Sequence, residues 1–221
     1  MMDYEIYETK ERALADNAAA AEENRQALHA RGARLVNLMG SPGAGKTSVL
    51  LRLLETLKPL RCGVMEADVD SDVDARTVAA TGARVIQLHT GGLCHMDADM
   101  TRRGLERMGV DALDVVVLEN IGNLVCPAEF EVGADVRLTV LSVPEGDDKP
   151  LKYPLMFKIT DCLAVNKMDT LPVFDFDLEA LTARVKALNP DIAVFPVSAE
   201  TGEGVDALAG WLRDRLGGSE A

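Results

Sequence analysis

Gly40-Ser41-Pro42-Gly43-Ala44-Gly45-Lys46-Thr47, the stretch GSPGAGKT, decides how this 221-residue chain folds. It fits G-x-x-x-x-G-K-[ST], and its placement matters more than its spelling. The apolar run LVNLM (35–39) precedes it and the amphipathic run TSVLLRLLETL (47–57) follows, so it reads as the turn between a strand and a helix. Glycines let successive backbone N–H groups turn inward around a phosphate at the positive end of that helix. Gly43, Ala44, Gly45 and Ser48 then supply the cradle, Lys46 reaches the β- and γ-phosphates, and the Thr47 hydroxyl can ligate Mg²⁺.

Outward from that loop, short apolar runs alternate with amphipathic ones. CGVMEA (62–67) is followed by DARTVAATG (74–82), and RVIQLH (84–89) by DADMTRRGLERMG (97–109). Then come DVVVLE (114–119), VRLTVLSV (136–143), DCLAVN (161–166) and IAVFPV (192–197), with helical patterns LEALTARVKALN (178–189) and GVDALAGWLRDRL (204–216) after the last two. Runs of Val, Leu and Ile without polar alternation suit strands covered on both faces, as in a parallel sheet flanked by helices. The expected fold is a doubly wound α/β domain with a mostly parallel sheet. Residues from about Thr9 to Ala30 are rich in Ala, Glu, Arg and Gln, with Gly32 where a cap would stand, and predict a leading helix. The expected division is an N-terminal helical extension, 1–32, and a phosphate-loop domain, 33–221.

Composition is ordinary for a globular protein, at 48% hydrophobic and 27% charged residues, and no apolar run is long enough to cross a bilayer. The start, MMDYEIYETKER, has no apolar core of the secretory kind, so a cytoplasmic protein is expected. With 36 acidic against 23 basic residues the net charge is −13, which argues against nucleic acid as a partner. Four cysteines are too few and too scattered for a disulfide framework. Cys62 and Cys162 lie in apolar runs and are expected in the core.

The base is read later in the chain. VNKMD ends an apolar run, so Asn166, Lys167 and Asp169 project from the carboxyl end of a strand, where α/β sheets bind ligands. They resemble the N-K-x-D motif of GTPases, in which the Asp carboxylate accepts from N1–H and N2–H₂ of guanine. Adenine offers neither donor, and a carboxylate left unpaired would reject ATP. Ser198, Ala199 and Glu200 of VSAETG resemble the S-A-K loop that closes over guanine O6, with Glu in the third place. GTP and GDP are the expected ligands.

Two further loops carry metal-ligating residues. HTGGLCHMDADM (89–100) places Cys94 and His95 side by side, and ENIGNLVCPAEF (119–130) places Cys126 just before Pro127. Adjacent Cys and His cannot both face inward on a strand or helix, but on a glycine-loosened loop both can reach one ion. Two thiolates and an imidazole suit Ni²⁺ or Zn²⁺, and three ligands leave a coordination position open. Cys126 lies seven residues beyond Glu119, in the segment where GTPases place the switch that senses the γ-phosphate.

Taken together, GSPGAGKT, EAD…DAR, TGGLCHMDA, ENIGNLVCPA, VPEGDDKPLKYPLMF, NKMD and SAETGEG resemble the hydrogenase nickel-incorporation GTPases, the HypB maturation-factor family, from about Leu35 to the end of the chain. The resemblance implies a P-loop NTPase of the SIMIBI GTPase type that delivers nickel to the large subunit of [NiFe]-hydrogenase. It also implies a HypA-type nickel metallochaperone as partner and a homodimer promoted by GTP and metal. Family metal ligands map to Cys94, His95 and Cys126. The Mg²⁺ shell maps to Thr47 and Asp68, with Asp74 and Glu119 behind them, and Lys46, Asp68 and Glu119 are the expected catalytic groups. Otherwise the acids at 68, 70, 72 and 74 read as a solvated loop and helix start. An N-terminal cysteine motif and a histidine-rich tract, carried by some members, are missing here, with histidine only at positions 29, 89 and 95. The alternatives are a urease-accessory GTPase, whose Cys-Pro-His differs from Cys94-His95, a nucleotide-regulated nickel or zinc store, and a small-molecule kinase.

Overall fold

The computed structural model describes residues 9–69 and 71–217. The start of the chain and Asp70 of the acidic run therefore lie outside the described residues.

Helix α1 spans Thr9–His29 and leads through a turn, with Gly32 at φ 73°, into β1, Arg34–Gly40. After the glycine-rich loop come α2 (Lys46–Thr56), β2 (Cys62–Asp68), α3 (Val73–Ala79), β3 (Arg84–His89), α4 (Ala98–Met108) and β4 (Val115–Glu119). Then follow α5 (Cys126–Glu129), β5 (Val136–Ser142), α6 (Lys149–Lys152), α7 (Pro154–Ile159), β6 (Cys162–Asn166), α8 (Leu178–Leu188), β7 (Ala193–Pro196) and α9 (Val205–Leu216). All strand pairs are parallel, in the order β3-β2-β4-β1-β5-β6-β7. The doubly wound reading of the sequence is thus the observed one, and the three short helices α5, α6 and α7 add to it.

Alternation along each strand divides the core. Val36 and Leu38 of β1 pack with Val49, Leu50 and Leu53 of α2 and with Leu208 and Leu212 of α9. Leu35 of the same strand turns to the opposite face, against Leu28 of α1 and Leu105 and Met108 of α4, while Met39 meets Met156 and Phe157 of α7. Such continuous burial is what a sheet covered on both faces requires.

The edges depart from the expectation of uniform burial. β3 runs from exposed Arg84 to exposed His89 with half-buried residues between, and β7 is likewise only partly covered. Each has a neighbour on one side alone, so apolar composition does not distinguish an edge from a centre. Cys62 departs as well: it is half-buried at the start of β2, whereas Cys162 in β6 is fully buried as expected. Burial pushes the Cys62 thiol up to about 11 and the Cys162 thiol higher still.

The segment set apart above as an extension lies against the rest of the molecule. Ala21 and Leu28 of α1 are buried. The Asn24 side chain donates to Ala98 O (2.7 Å), and Asn17 donates to Glu131 O while accepting from Ala98 N (both 2.8 Å). These amides hold α1 to the start of α4 and to the chain after α5, both of which adjoin the site.

Candidate nucleotide and metal site

The parallel strands end together along one rim, which carries the phosphate loop, Asp68, Glu119 and Asn166 at strand ends and the loops with Cys94, His95 and Cys126. The glycine-rich loop closes with Gly45 at φ 90°, a left-handed conformation in which a Cβ would also lie 2.4 Å from Asn166 Nδ2. Glycine is required on both counts. Lys46 opens α2 with its side chain buried, so its charge is held inside the loop, where Nζ donates to Ser41 O (3.4 Å).

Asn166, 1% exposed at the end of β6, joins two loops: Nδ2 donates to Ala44 O (3.0 Å) and Oδ1 accepts from Ala199 N (3.1 Å). Lys167 has φ 62°, rare for a residue with a side chain, and its Nζ donates to Gly43 O (2.7 Å). Asp169 accepts from Ser198 Oγ (2.5 Å), which in turn accepts from Thr201 N (3.1 Å). Gly45, Ser48, Asn166, Lys167, Asp169 and Ala199 line one cavity, which Glu200 also borders. Arg52 of α2, which no motif in the sequence marks, braces this cavity from behind by donating to Ala199 O (2.7 Å) and Glu200 O (2.8 Å).

A second cavity, continuous with the glycine-rich loop, is lined by Lys46, Thr47, Asp68, Asp74, Glu119 and Gly122 among others. Thr47 Oγ1 donates to Glu119 Oε1 (2.9 Å), and Asp68 Oδ1 accepts from Ser71 N (2.7 Å). All four acidic or hydroxyl residues assigned from sequence to Mg²⁺ therefore face one space. Glu66 adds a fifth. It is 3% exposed, and its Oε1, like Glu119 Oε2, is buried with no hydrogen-bond partner. Burial pushes Glu66 up to about 9, reinforced by the charges of Glu119 and Asp74. Burial raises Glu119 to about 7, against the opposing pull of Lys46 and Thr47. Orphaned buried carboxyl oxygens beside a phosphate-type loop are the donors that a hydrated divalent cation needs. The residues present fit Mg²⁺. A glutamate in the middle of the apolar run CGVMEA was the signal for Glu66 in the sequence.

The loops after β3 and β4 meet beside this space. Cys94, His95 and Cys126 each bring one ligand atom within 4.8 Å of the other two. Cys94 Sγ lies 2.9 Å from Cys126 Sγ and 3.8 Å from His95 Nδ1. The hydrogen bond between the sulfurs raises the Cys94 thiol above its ordinary value, while burial lowers His95, keeping the imidazole neutral and able to coordinate. Phe130, just past α5, stacks on the His95 ring with centroids 3.8 Å apart and planes 18° from parallel. Nothing local in the sequence pairs those two rings. Two soft sulfurs and a neutral imidazole at this spacing can hold a thiophilic divalent metal.

With phosphate loop, base cavity and thiol cluster arranged on one rim, residues 34–196 match the family described as CobW/HypB/UreG, nucleotide-binding domain. The chain belongs to the CobW/HypB/UreG family. It is 44% identical over 207 residues to a hydrogenase maturation factor HypB of Azotobacter vinelandii, covering 92% of this chain and 68% of that one. A probable HypB of Methanocaldococcus jannaschii is 36% identical over 88% of this chain and 89% of its own length. Among solved structures, HypB from Helicobacter pylori in complex with nickel superposes with a TM-score of 0.86 at 33% identity, over 91% of this chain and 95% of that one. The matched stretch, described as a nucleotide-binding domain, contains the phosphate loop and Asn166, Lys167 and Asp169. Among the described residues no helix is long and apolar enough to cross a membrane.

Proposed function

We propose that this protein is a GTP-hydrolysing metallochaperone that delivers nickel during maturation of [NiFe]-hydrogenase. The observation that carries the reading is the convergence of Cys94, His95 and Cys126 on the chain segment that begins at Glu119, the residue bonded to Thr47 of the phosphate loop. The nucleotide switch and Cys126 share one piece of backbone, and the loop with Cys94 and His95 leans onto it. The names of the relatives and the nickel complex of the H. pylori protein support the same reading.

In this reading Asp169, held by Ser198, accepts from the guanine N1–H and N2–H₂, and the backbone of Ala199 and Glu200 closes over O6. Backbone N–H groups of Gly43 to Ser48 and the Lys46 ammonium hold the phosphates. Thr47 and Asp68, with Glu119 and Asp74 alongside, would hold Mg²⁺, which supplies charge neutralisation at the β- and γ-phosphates. No glutamine stands in the segment ENIGN to orient an attacking water, so turnover of the isolated protein is slow, on the order of 10⁻³ s⁻¹ or below. Slow hydrolysis suits a timer.

Nickel is cargo. Cys94 and Cys126 bind it as thiolates, losing their protons, and His95 adds a neutral nitrogen. Three ligands leave a position open to a donor on the molecule that supplies or receives the ion. A HypA-type metallochaperone, the precursor of the hydrogenase large subunit and a second copy of this chain are the partners the reading requires, in the cytoplasm. Zinc would occupy the same ligands.

The test is a nickel titration with GDP and with a non-hydrolysable GTP analogue, followed by nickel release during GTP hydrolysis. Nickel affinity that differs between the two nucleotide states supports the reading, and by linkage nickel must then shift nucleotide affinity by the same factor. Equal affinities would leave a metal site and a GTPase that are neighbours only.

A further inference from the structure

The loop carrying Cys94 and the segment carrying Cys126 meet at one side chain that is not itself a metal ligand. Asn123 follows Gly122, and Gly122 lies so close to the phosphate loop that a Cβ there would sit 2.9 Å from Pro42 N and Cγ. The Asn123 N–H donates to Gly40 O (3.1 Å), forming an isolated antiparallel bridge to the last residue of β1, where the phosphate loop starts. Its side chain faces the other way. Nδ2 donates to Cys94 O (3.2 Å), and Oδ1 accepts from Val125 N (2.8 Å), one residue before Cys126.

One asparagine thus touches the phosphate loop by its backbone, the Cys94 loop by its donor and the turn into α5 by its acceptor. Each of these bonds is in ordinary range, and together they use the side-chain groups that an amide offers to two separate partners. Leucine or serine could not serve both loops. Asn120, three residues earlier and 1% exposed, makes a similar but more deeply buried tie: Oδ1 accepts from Met96 N (3.3 Å) and Nδ2 donates to Asn37 Oδ1 (3.1 Å). Asn120 thus ties the far end of the Cys94 loop to β1 at Met96, and Asn123 ties it at Cys94.

From this geometry we infer that Asn123 is the positioning residue that couples nucleotide state to the metal ligands. When the segment from Glu119 to Gly122 shifts with the γ-phosphate, Asn123 carries Cys94 and the turn into Cys126 with it, so both sulfurs change position together. This rests on the proposed function above, since it assigns a carrier to a coupling which that function requires. Positioning by a hydrogen-bonded side chain needs no contact with either nucleotide or metal.

The test compares the wild type with Asn123→Ser and Asn123→Ala. Serine keeps an oxygen that can accept from the N–H two residues on, but it cannot reach Cys94 O. Alanine removes both bonds. For each protein, nickel affinity is titrated with GDP and with a non-hydrolysable GTP analogue, and melting temperature is recorded. In the wild type the ratio of the two affinities is on the order of tenfold. In Asn123→Ser it falls below about twofold while affinity in the GDP state stays within about threefold of wild type, because the ligands remain but no longer move as one. A merely structural role would lower both affinities together, keep the ratio, and leave Asn123→Ser close to wild type. That pattern overturns the inference and leaves the proposed function standing. A wild type without any nucleotide dependence overturns the proposed function itself, and the two failures are therefore distinct. If Asn123→Ala does not fold, Asn123→Ser decides alone.

Discussion

The base cavity and the thiol corner lie on the same rim and are built in opposite ways. Around the base cavity the chain is cross-tied: Asn166 joins two loops, Lys167 in a left-handed conformation bonds the glycine-rich one a second time, and Arg52 braces the wall from α2. At the thiol corner Cys94 is exposed, and Gly91 and Gly92 before it have φ 64° and 101° with open space where a Cβ would be. Exposed Leu93 and Val125 flank the two sulfurs. In the proposed function, a base that must be told from close relatives is met by a stiff frame, whereas an ion to be accepted and released is met by glycine-loosened, exposed loops.

The contrast is broken most severely at Asp169. Its carboxylate is anchored by Ser198, so Asp169→Asn presents a donor where guanine also donates. GTP affinity is expected to fall by roughly a thousandfold, with xanthosine triphosphate gaining. Parallel titrations with both nucleotides check this, and unchanged GTP affinity would show that the base lies elsewhere.

At the thiol corner the effects are smaller because the frame is looser. Cys126→Ala removes a ligand outright and is expected to weaken nickel binding by at least the roughly tenfold typical of losing a supporting partner. GTP affinity without metal should hardly change. Phe130→Leu leaves all three ligands and takes away only the ring that fixes His95. A weakening of roughly threefold, in line with the worth of one aromatic contact, is the expected result by titration. No change there would mean that the His95 ring is fixed by other contacts.

The smallest effect separates the corner from the core. Cys162→Ala trims a fully buried thiol 36 residues beyond Cys126, so it should lower stability by about 1 kcal/mol in denaturant melts and leave nickel affinity untouched. Acidity sharpens the same comparison. Cys94 is held above its ordinary value by its bond to Cys126, so metal must displace a proton, and nickel affinity should fall as pH is lowered. Mg²⁺-dependent GTP binding should weaken as well when pH falls through neutrality, because burial raises Glu119 to about 7 and the protonated carboxyl no longer offers its charge to the cation.

The sequence by itself determined whatever is contiguous. A phosphate loop, its strand and its helix are one stretch of 23 residues, Arg34 to Thr56, and their chemistry and geometry follow from glycine freedom and helix polarity. The position of Asn166, Lys167 and Asp169 at a strand end was legible for the same reason, as were the strands, whose apolar runs demand two covered faces. Cys94, His95 and Cys126 could be named as candidate ligands from their types, yet their meeting within 4.8 Å was decided by the fold. β2 lies between β3 and β4, so loops leaving two strands that are not neighbours had to lean together over the rim. Glu66 against Glu119, Phe130 on His95 and Asn123 between two loops belong to the same class, as do the half-covered edges β3 and β7. Periodicity records which face of an element is buried. Which element lies opposite, and which strand stands at the end of the row, is settled only when distant parts of the chain compete for the same neighbours.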